Sequence, residues 1–237
     1  MPLNVRKAMA ALALGGGLLA SVLPSFAFPP YRSTDADTAD PNTLELRAGA
    51  IAELDGKTQF TAPALRINYG LPGKIELTSE LEYAPQDGAF GDGAAGFKWV
   101  PFFGDTLGFG IETLALLPIR PGDSGAGWES QLLASYRKET FRLHMNAGAF
   151  QDSRAIADEN GWRASMLVEF PRPGWRPGLE LFAKQVDGKP AAVSAGIGGI
   201  FNLGTFEIRT GLHAGLSKQA PDLRLNLWIA SAFPFRS

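Results

Sequence analysis

The sequence predicts an all-β chain: a transmembrane antiparallel β-barrel of about twelve strands, with ten as the smaller alternative. Three observations carry that expectation. Apolar and polar residues alternate with period two from residue 42 almost to the end, the signature of strands with one apolar and one polar face. The connections alternate in length along much of the chain, tight at one end and longer and polar at the other, as in outer-membrane barrels. The apolar parity carries no Asp, Glu, Lys or Arg in any strand, as a lipid-facing surface requires when a mid-bilayer Arg or Lys costs ~2–4 kcal/mol. A soluble secreted β-sandwich also excludes charge from its core. It has no reason, however, to place Tyr69, Tyr83, Trp99, Trp128, Tyr136, Trp162, Phe170, Phe201 and Phe233 at strand ends, where interfacial girdles lie.

Composition narrows the class. The 237 residues carry a net charge of −2, which argues against a nucleic-acid partner, and no cysteine, which removes disulfides and thiolate metal sites. Residues 1–27 read as a bacterial-type signal peptide: Arg6 and Lys7, an apolar run from Ala8 to Leu23, and a small-x-small site ending at Ala27. The alternative, a membrane anchor, is disfavoured by Gly15, Gly16 and Gly17 and by a run shorter than the ~20 residues of a spanning helix. Residues 28–41, "FPPYRSTDADTADP", have no period and read as an irregular segment, either hanging in the periplasm or plugging the barrel. Residues 42–237 form the expected barrel.

The strands follow in order. "NTLELRAGAIAEL", Asn42 to Leu54, alternates almost without error. Thr58–Tyr69 alternates with a parity slip near Pro63 that predicts a bulge. Lys74–Tyr83, Gly93–Val100, Thr106–Leu117, Gly127–Arg137 and Thr140–Phe150 continue the pattern. Gly161–Phe170, Gly178–Val186, Ala191–Phe201, Thr205–Leu216 and Asp222–Phe233 complete it. "GLPG" (70–73), "FGD" (103–105), "KE" (138–139) and "NLG" (202–204) are tight turns, whereas 84–91, 119–126 and 151–160 are long loops. Two connections break the pattern: "PRPGWRPG" (171–178) is long for its side and "DGK" (55–57) is short. An even strand number returns both termini to the periplasmic side.

If the leucines face lipid, the other parity faces a lumen. The lining residues expected there are Glu45 and Arg47 on the first strand, Glu76, Glu80 and Glu82 on the third, and Lys98, Glu112 and Glu129 on the next three. Arg142, His144, Arg163, Lys184, Arg209, His213 and Arg224 continue the set, joined by Glu53, Arg66, Asn68, Arg137, Glu169, Glu180 and Glu207. Glu76, Glu80 and Glu82 make one strand acidic, while Arg142 and Arg163 form a neighbouring basic pair, and these five are the residues expected to tune the lumen. Two readings stay open. Facing ladders of opposite charge line a water-filled path for small solutes, or Arg and Glu pair across a narrow interior and close it. Inward glycines (Gly49, Gly96, Gly108, Gly110, Gly148, Gly196, Gly198, Gly211, Gly215) leave room and favour the path.

Catalytic, cofactor and metal sites are not expected. A lipid-modifying barrel enzyme needs a nucleophile with a base, and only His144, oriented near Asn146 or Ser165, and His213, near Asp222, offer one. "GDSGAG" (122–127) lacks the strand–turn–helix context of a nucleophile elbow. "DGAFGDG" (87–93) lacks the spacing and closing Glu of a calcium loop, and "GIGG" (196–199) sits inside a strand with no following helix. The expected partners are outer-membrane lipid and lipopolysaccharide and a small-molecule solute.

"TDADTADPNTLELRAG" (34–49), "APALRINYGLPGKIELTSELEY" (62–83) and "GDGAAGFKWVPF" (91–102) resemble the bacterial outer-membrane β-barrel transporter family of the MetA-pathway of phenol degradation type. The similarity covers most of the mature chain and is sharpest over its first third. The resemblance implies an outer-membrane barrel and, by association, uptake of hydrophobic or aromatic compounds; it brings no catalytic residues. One departure is the end, "FPFRS", where Phe235 is followed by Arg236 and Ser237 instead of standing last.

Overall fold

The period-two runs become strands throughout the computed structural model, which describes residues 29–154 and 158–235. The expected signal peptide lies outside the described residues, as do Phe28, Arg236 and Ser237. Twelve strands follow one another: β1 (Thr43–Asp55), β2 (Lys57–Leu71), β3 (Ile75–Ala84), β4 (Ala89–Phe103), β5 (Leu107–Leu117) and β6 (Gly127–Arg137). The second half is β7 (Arg142–Asp152), β8 (Glu159–Glu169), β9 (Trp175–Val186), β10 (Ala192–Leu203), β11 (Phe206–Gly215) and β12 (Leu223–Pro234). Each pairs antiparallel with its sequence neighbours, and β12 closes on β1 in continuous register from Thr43↔Pro234 to Leu54↔Leu223. Closure leaves no sheet edge, the condition for burying strands in hydrocarbon. The count is twelve, not ten.

The slip near Pro63 is a bulge: β1–β2 register shifts between Gly49 and Ile51, and parity in β2 changes across it, so that Phe60 and Ile67 both face outward. Two expected loops are shorter than the sequence suggests. β4 begins at Ala89, because Ala84↔Ala89 and Tyr83↔Phe90 continue the ladder past a second bulge, and the 84–91 loop shrinks to residues 85–88. β9 begins at Trp175, so "PRPGWRPG" is mostly strand. Pro177 has no N–H to give, but its carbonyl accepts from Phe170 at 2.8 Å, which is all the ladder asks of it there.

The outer surface is apolar, with Leu46, Ile67, Leu77, Leu132, Met145, Met166, Leu181, Ile197, Leu212 and Leu225 exposed. Trp99, Trp175, Phe201, Phe206 and Phe233 are exposed toward the end that carries the N-terminus of β1; Phe60, Phe90, Trp128 and Trp162 are exposed toward the other. The indole N–H groups of Trp128 and Trp162 donate to Gln151 and Gln185 at 3.2 and 2.8 Å, so these girdle rings are satisfied at their polar tips. The separation is incomplete, since Phe97 also faces outward at mid-strand.

The interior is not empty. Residues 29–40 lie inside the barrel and touch β3, β4, β6, β7, β8, β9, β11 and β12 through hydrogen bonds. Tyr31, Ser33, Thr34 and Ala36 are buried completely or nearly so.

Candidate functional site

The charged wall is built by two pairing rules. Residues directly opposite in register pair first: Arg66 with Glu80 at 2.6 Å, Lys98 with Glu76 at 3.9 Å, and Arg224 with Glu53. Others reach past an intervening strand whose facing residue is small. His213 bonds Glu180 at 2.7 Å, and the residue opposite both is Gly196, where an added Cβ would lie 2.0 Å from His213 Cδ2. Arg163 bonds Glu129 from β8 to β6, with Gly148 opposite Arg163 on the strand between. Arg66 extends further still, to Glu112 on β5 at 2.8 Å, and Gln131 donates to the other Glu112 oxygen at 2.7 Å.

The expected lining residues therefore sit on the inner face, and most are already engaged. Arg47 holds Glu45 at 2.5 Å and Arg209 holds Glu207. Glu82 is half-buried, and the Lys184 Nζ stands 4.4 Å from the Phe150 ring centroid. Arg142 lines a cavity at the terminal end of the barrel. Arg142 and Arg163 are not a neighbouring pair: on β7 and β8 the registers Arg142↔Glu169 and Gly148↔Arg163 put them six residues apart, roughly 20 Å along the strands. The histidines are corrected likewise. Antiparallel register puts His144 opposite Ser135, whose hydroxyl lies 2.7 Å from Nδ1, and its Nε2 faces Glu169 at 3.2 Å, while His213 faces Glu180 instead of Asp222.

Several side chains that hold the inner segment are neutral; of these the sequence singles out only Asn146, as a possible neighbour of His144, and not Ser135 or Asn226. Asn146 accepts from the Thr34 N–H at 2.8 Å and donates to the Thr34 carbonyl at 2.9 Å. Ser135 accepts from the Ala36 N–H at 2.8 Å, and Asn226 donates to the Pro30 carbonyl at 3.0 Å. Ser135, which accepts from the segment, lies 2.7 Å from His144 Nδ1, and His144 Nε2 lies 3.2 Å from Glu169. This Ser–His–Glu row is 2 % exposed at each residue and holds the segment's backbone. Charged groups do the same: Glu180 takes the N–H of Arg32 and of Ser33, Glu76 that of Ala39, and Arg163, Arg137, Lys98 and Arg209 donate to carbonyls of Arg32, Ala36, Asp37 and Pro29.

Asp35 supplies a side-chain anchor, 3.5 Å from Lys98 Nζ. Burial pushes its carboxyl up most strongly, but Lys98, His144, Arg176 and Arg47 together outweigh burial and hold it below the usual carboxylate range, at about 2. Asp37 moves the other way, raised by burial and by Asp35. Asp35→Asn is expected to speed amide hydrogen exchange at residues 34–37 about fivefold at neutral pH, from a loss of about 1 kcal/mol. A depressed carboxyl contributes above its unfolded value near 4 and loses that contribution as pH falls through about 2. The gap between wild type and variant should therefore close as pH falls from about 4 toward 2, with Asp37, no longer raised by Asp35, titrating lower in the variant.

Some inward glycines make room for the segment, while others, such as Gly49 and Gly196, make room for wall side chains. Gly178, Gly198 and Gly211 stand opposite one another on β9, β10 and β11 and form a trough. A Cβ at Gly178 would lie 2.6 Å from the Tyr31 hydroxyl, at Gly198 2.8 Å from Tyr31 Cε1, and at Gly211 2.8 Å from the Pro30 carbonyl oxygen. Space remains on one side only. A cavity of about 370 Å³ lies at the terminal end, lined by Asp35, Asp37, Lys98, Arg142 and Arg176 among others. On the far side of Pro30 and Tyr31 the gap is about 30 Å³, room for roughly one water.

No protein-family model matches the chain, and no curated protein matches its sequence. Solved structures do match its shape. The KdgM porin superposes with TM-score 0.61 over 81% of this chain and 99% of its own, at 9% identity. The NanC porin gives TM-score 0.59 over 81% and 100%, also at 9% identity. The COG4313 outer membrane channel from Pseudomonas putida F1 gives TM-score 0.62 over 84% and 98%, at 14% identity. At these identities the likeness establishes the fold, a twelve-stranded antiparallel barrel of the outer-membrane porin and channel type.

Proposed function

We propose that this chain is an outer-membrane channel for small polar solutes whose lumen is closed at rest by its own residues 29–41. The observation that carries the reading is the way the segment is held. Its backbone is bound to the wall by polar side chains, beside a hydrated-sized cavity of about 370 Å³, instead of being welded into an apolar core. In this reading residues 1–27 are cleaved on export. The apolar band contacts phospholipid and lipopolysaccharide, and the end bearing the β1 N-terminus faces the periplasm. The ionised lining favours polar solutes over the hydrophobic or aromatic compounds that the family resemblance implies. The Ser135–His144–Glu169 row is read as an anchor for Ala36, not as a catalytic set.

A second reading, a non-conducting structural barrel, is favoured by the buried ion pairs of Arg66 and Arg163. Deletion of residues 29–40 separates the two in planar bilayers. The full chain should show rare, brief openings, and the deletion variant a steady conductance at least tenfold higher on time average. A deletion variant that inserts, shows heat-dependent gel migration and stays silent would leave the structural barrel standing.

A further inference from the structure

The wall treats the inner segment in an uneven way. Its contacts with side chains of the segment include Ser33 Oγ to Glu180 at 2.6 Å, Asp35 with Lys98 at 3.5 Å, Asp37 with Lys74 at 3.9 Å and the Arg32 guanidinium 3.8 Å over the Phe182 ring. Its bonds to the segment's main chain run almost residue by residue, on both N–H and C=O groups, from Pro29 to Ala39. The Asn146 amide takes both main-chain groups of a single residue, Thr34, at 2.8 and 2.9 Å. A carboxamide clamped on one residue's N–H and C=O reproduces what a neighbouring strand would offer, and it is blind to that residue's side chain.

We infer that the lumen is a main-chain-reading site for short extended peptides, and that residues 29–40 are its tethered resident. Two positions of the occupant are constrained by shape. An aromatic ring fits the glycine trough where Tyr31 lies, and a small apolar residue fits where Ala36 packs, completely buried, against Val100 and Leu133. Ser33 and Thr34 are also completely buried and the Arg32 guanidinium stacks over Phe182, whereas Asp37 and Thr38 border the cavity of about 370 Å³, where side chains are freer to vary. A solute peptide with an aromatic residue and a small residue five positions later would compete for the wall groups that seat the segment. The inference deepens the channel reading by naming a solute class, but peptide binding is measurable whether or not the barrel conducts.

The test uses the full-length chain carrying Tyr31→Ala, which empties the trough without altering any wall residue, and fluorophore-labelled synthetic peptides followed by anisotropy in detergent. One peptide copies residues 29–40. A second keeps residues 29 to 36 and 39 and replaces the side chains at positions 37, 38 and 40 by serine. A third is N-methylated at positions 34 and 36, which removes the donors to Asn146 and Ser135. The first two should bind within about threefold of each other, and the third at least tenfold more weakly, as the loss of two hydrogen bonds implies. Asn146→Ala in the same chain should weaken the first two by a common factor. Failure of the serine peptide while the copy binds would overturn the inference in favour of side-chain recognition; failure of both would overturn it outright. Peptide binding by a barrel that never conducts, even with residues 29–40 deleted, would sink the channel reading alone. Conduction by the deletion variant with no peptide bound would sink the inference alone.

Discussion

Gly211→Val should hold the channel open for most of the time in bilayers where the unaltered chain is nearly silent. The three trough glycines are not equivalent as places to push. A Cβ at Gly198 would meet the Thr210 carbonyl of the adjacent strand at 2.9 Å, so substitution there strains the barrel as well as the segment. At Gly211 the close atoms are the Pro30 oxygen at 2.8 Å, Pro30 Cβ at 3.1 Å and the Asn226 amide nitrogen at 3.0 Å. Two belong to the segment and the third ends a flexible side chain, so the segment must give way. Valine itself suits a strand. Displacing Pro30 costs the Asn226 bond and lifts the Tyr31 ring, now 2 % exposed, out of its trough. Loss of such a ring's burial is worth about 2–3 kcal/mol, which raises the open fraction by one to two orders of magnitude. Tyr31→Phe should not open the channel, because the hydroxyl has no hydrogen-bond partner among the described residues. Time-averaged single-channel current decides the matter. An unchanged Gly211→Val variant would mean that the segment shifts within the lumen without leaving it.

The barrel was legible in the sequence because each of its signals is local. Alternation along "NTLELRAGAIAEL" assigns Leu46 outward and Arg47 inward without reference to any other strand, and the slip at Pro63 announces its own bulge. The contents of the lumen were not legible, for a different reason. Residues 28–41 are polar, proline-bearing and without period, the composition of a linker, and the order of residues 29–40 inside the barrel comes from wall residues that lie 37 to 196 positions away. The glycines illustrate the gap. Parity alone told that Gly198 and Gly211 face inward and leave room; that the room is occupied by Tyr31 and Pro30 depends on register across three strands. His213 makes the same point, since its partner Glu180 is two strands off and reachable only across Gly196. Ser135 carries no charge and draws no attention, and Asn146 reads in the sequence only as a neighbour of His144, not as a clamp on Thr34.

The second large effect is expected at Arg66, and it concerns the wall itself. Arg66 is 2 % exposed and places one guanidinium nitrogen 2.6 Å from Glu80, another 2.8 Å from Glu112 and its Nε 3.1 Å from the Asn68 oxygen. Asn68 accepts in turn from Thr78 at 2.7 Å, and Glu112 from Gln131 at 2.7 Å, so one cation organises side chains from β2, β3, β5 and β6. Arg66→Met removes the cation that bonds both carboxylates and leaves them facing each other out of water. Breaking such a buried arrangement from one side costs about 3–5 kcal/mol, because the uncompensated charges remain. The urea midpoint for unfolding from lipid should fall steeply, and Arg66→Lys should recover little, since a single ammonium does not reproduce the planar fork. The triple change Arg66→Met, Glu80→Gln and Glu112→Gln should recover most of the loss, because it removes the charges that Arg66 compensates. The same geometry alters what Glu80→Lys tests. Read from sequence, that reversal probes ion selectivity; in the structure it sets a second cation against Arg66 and frees Glu112 from part of its partner's attention. Its first consequence should therefore be a lower unfolding midpoint, appearing before any shift in reversal potential. A Glu80→Lys protein as stable as the wild type would show that this part of the wall is wet enough to screen the pair, and would return Glu80 to the solute path.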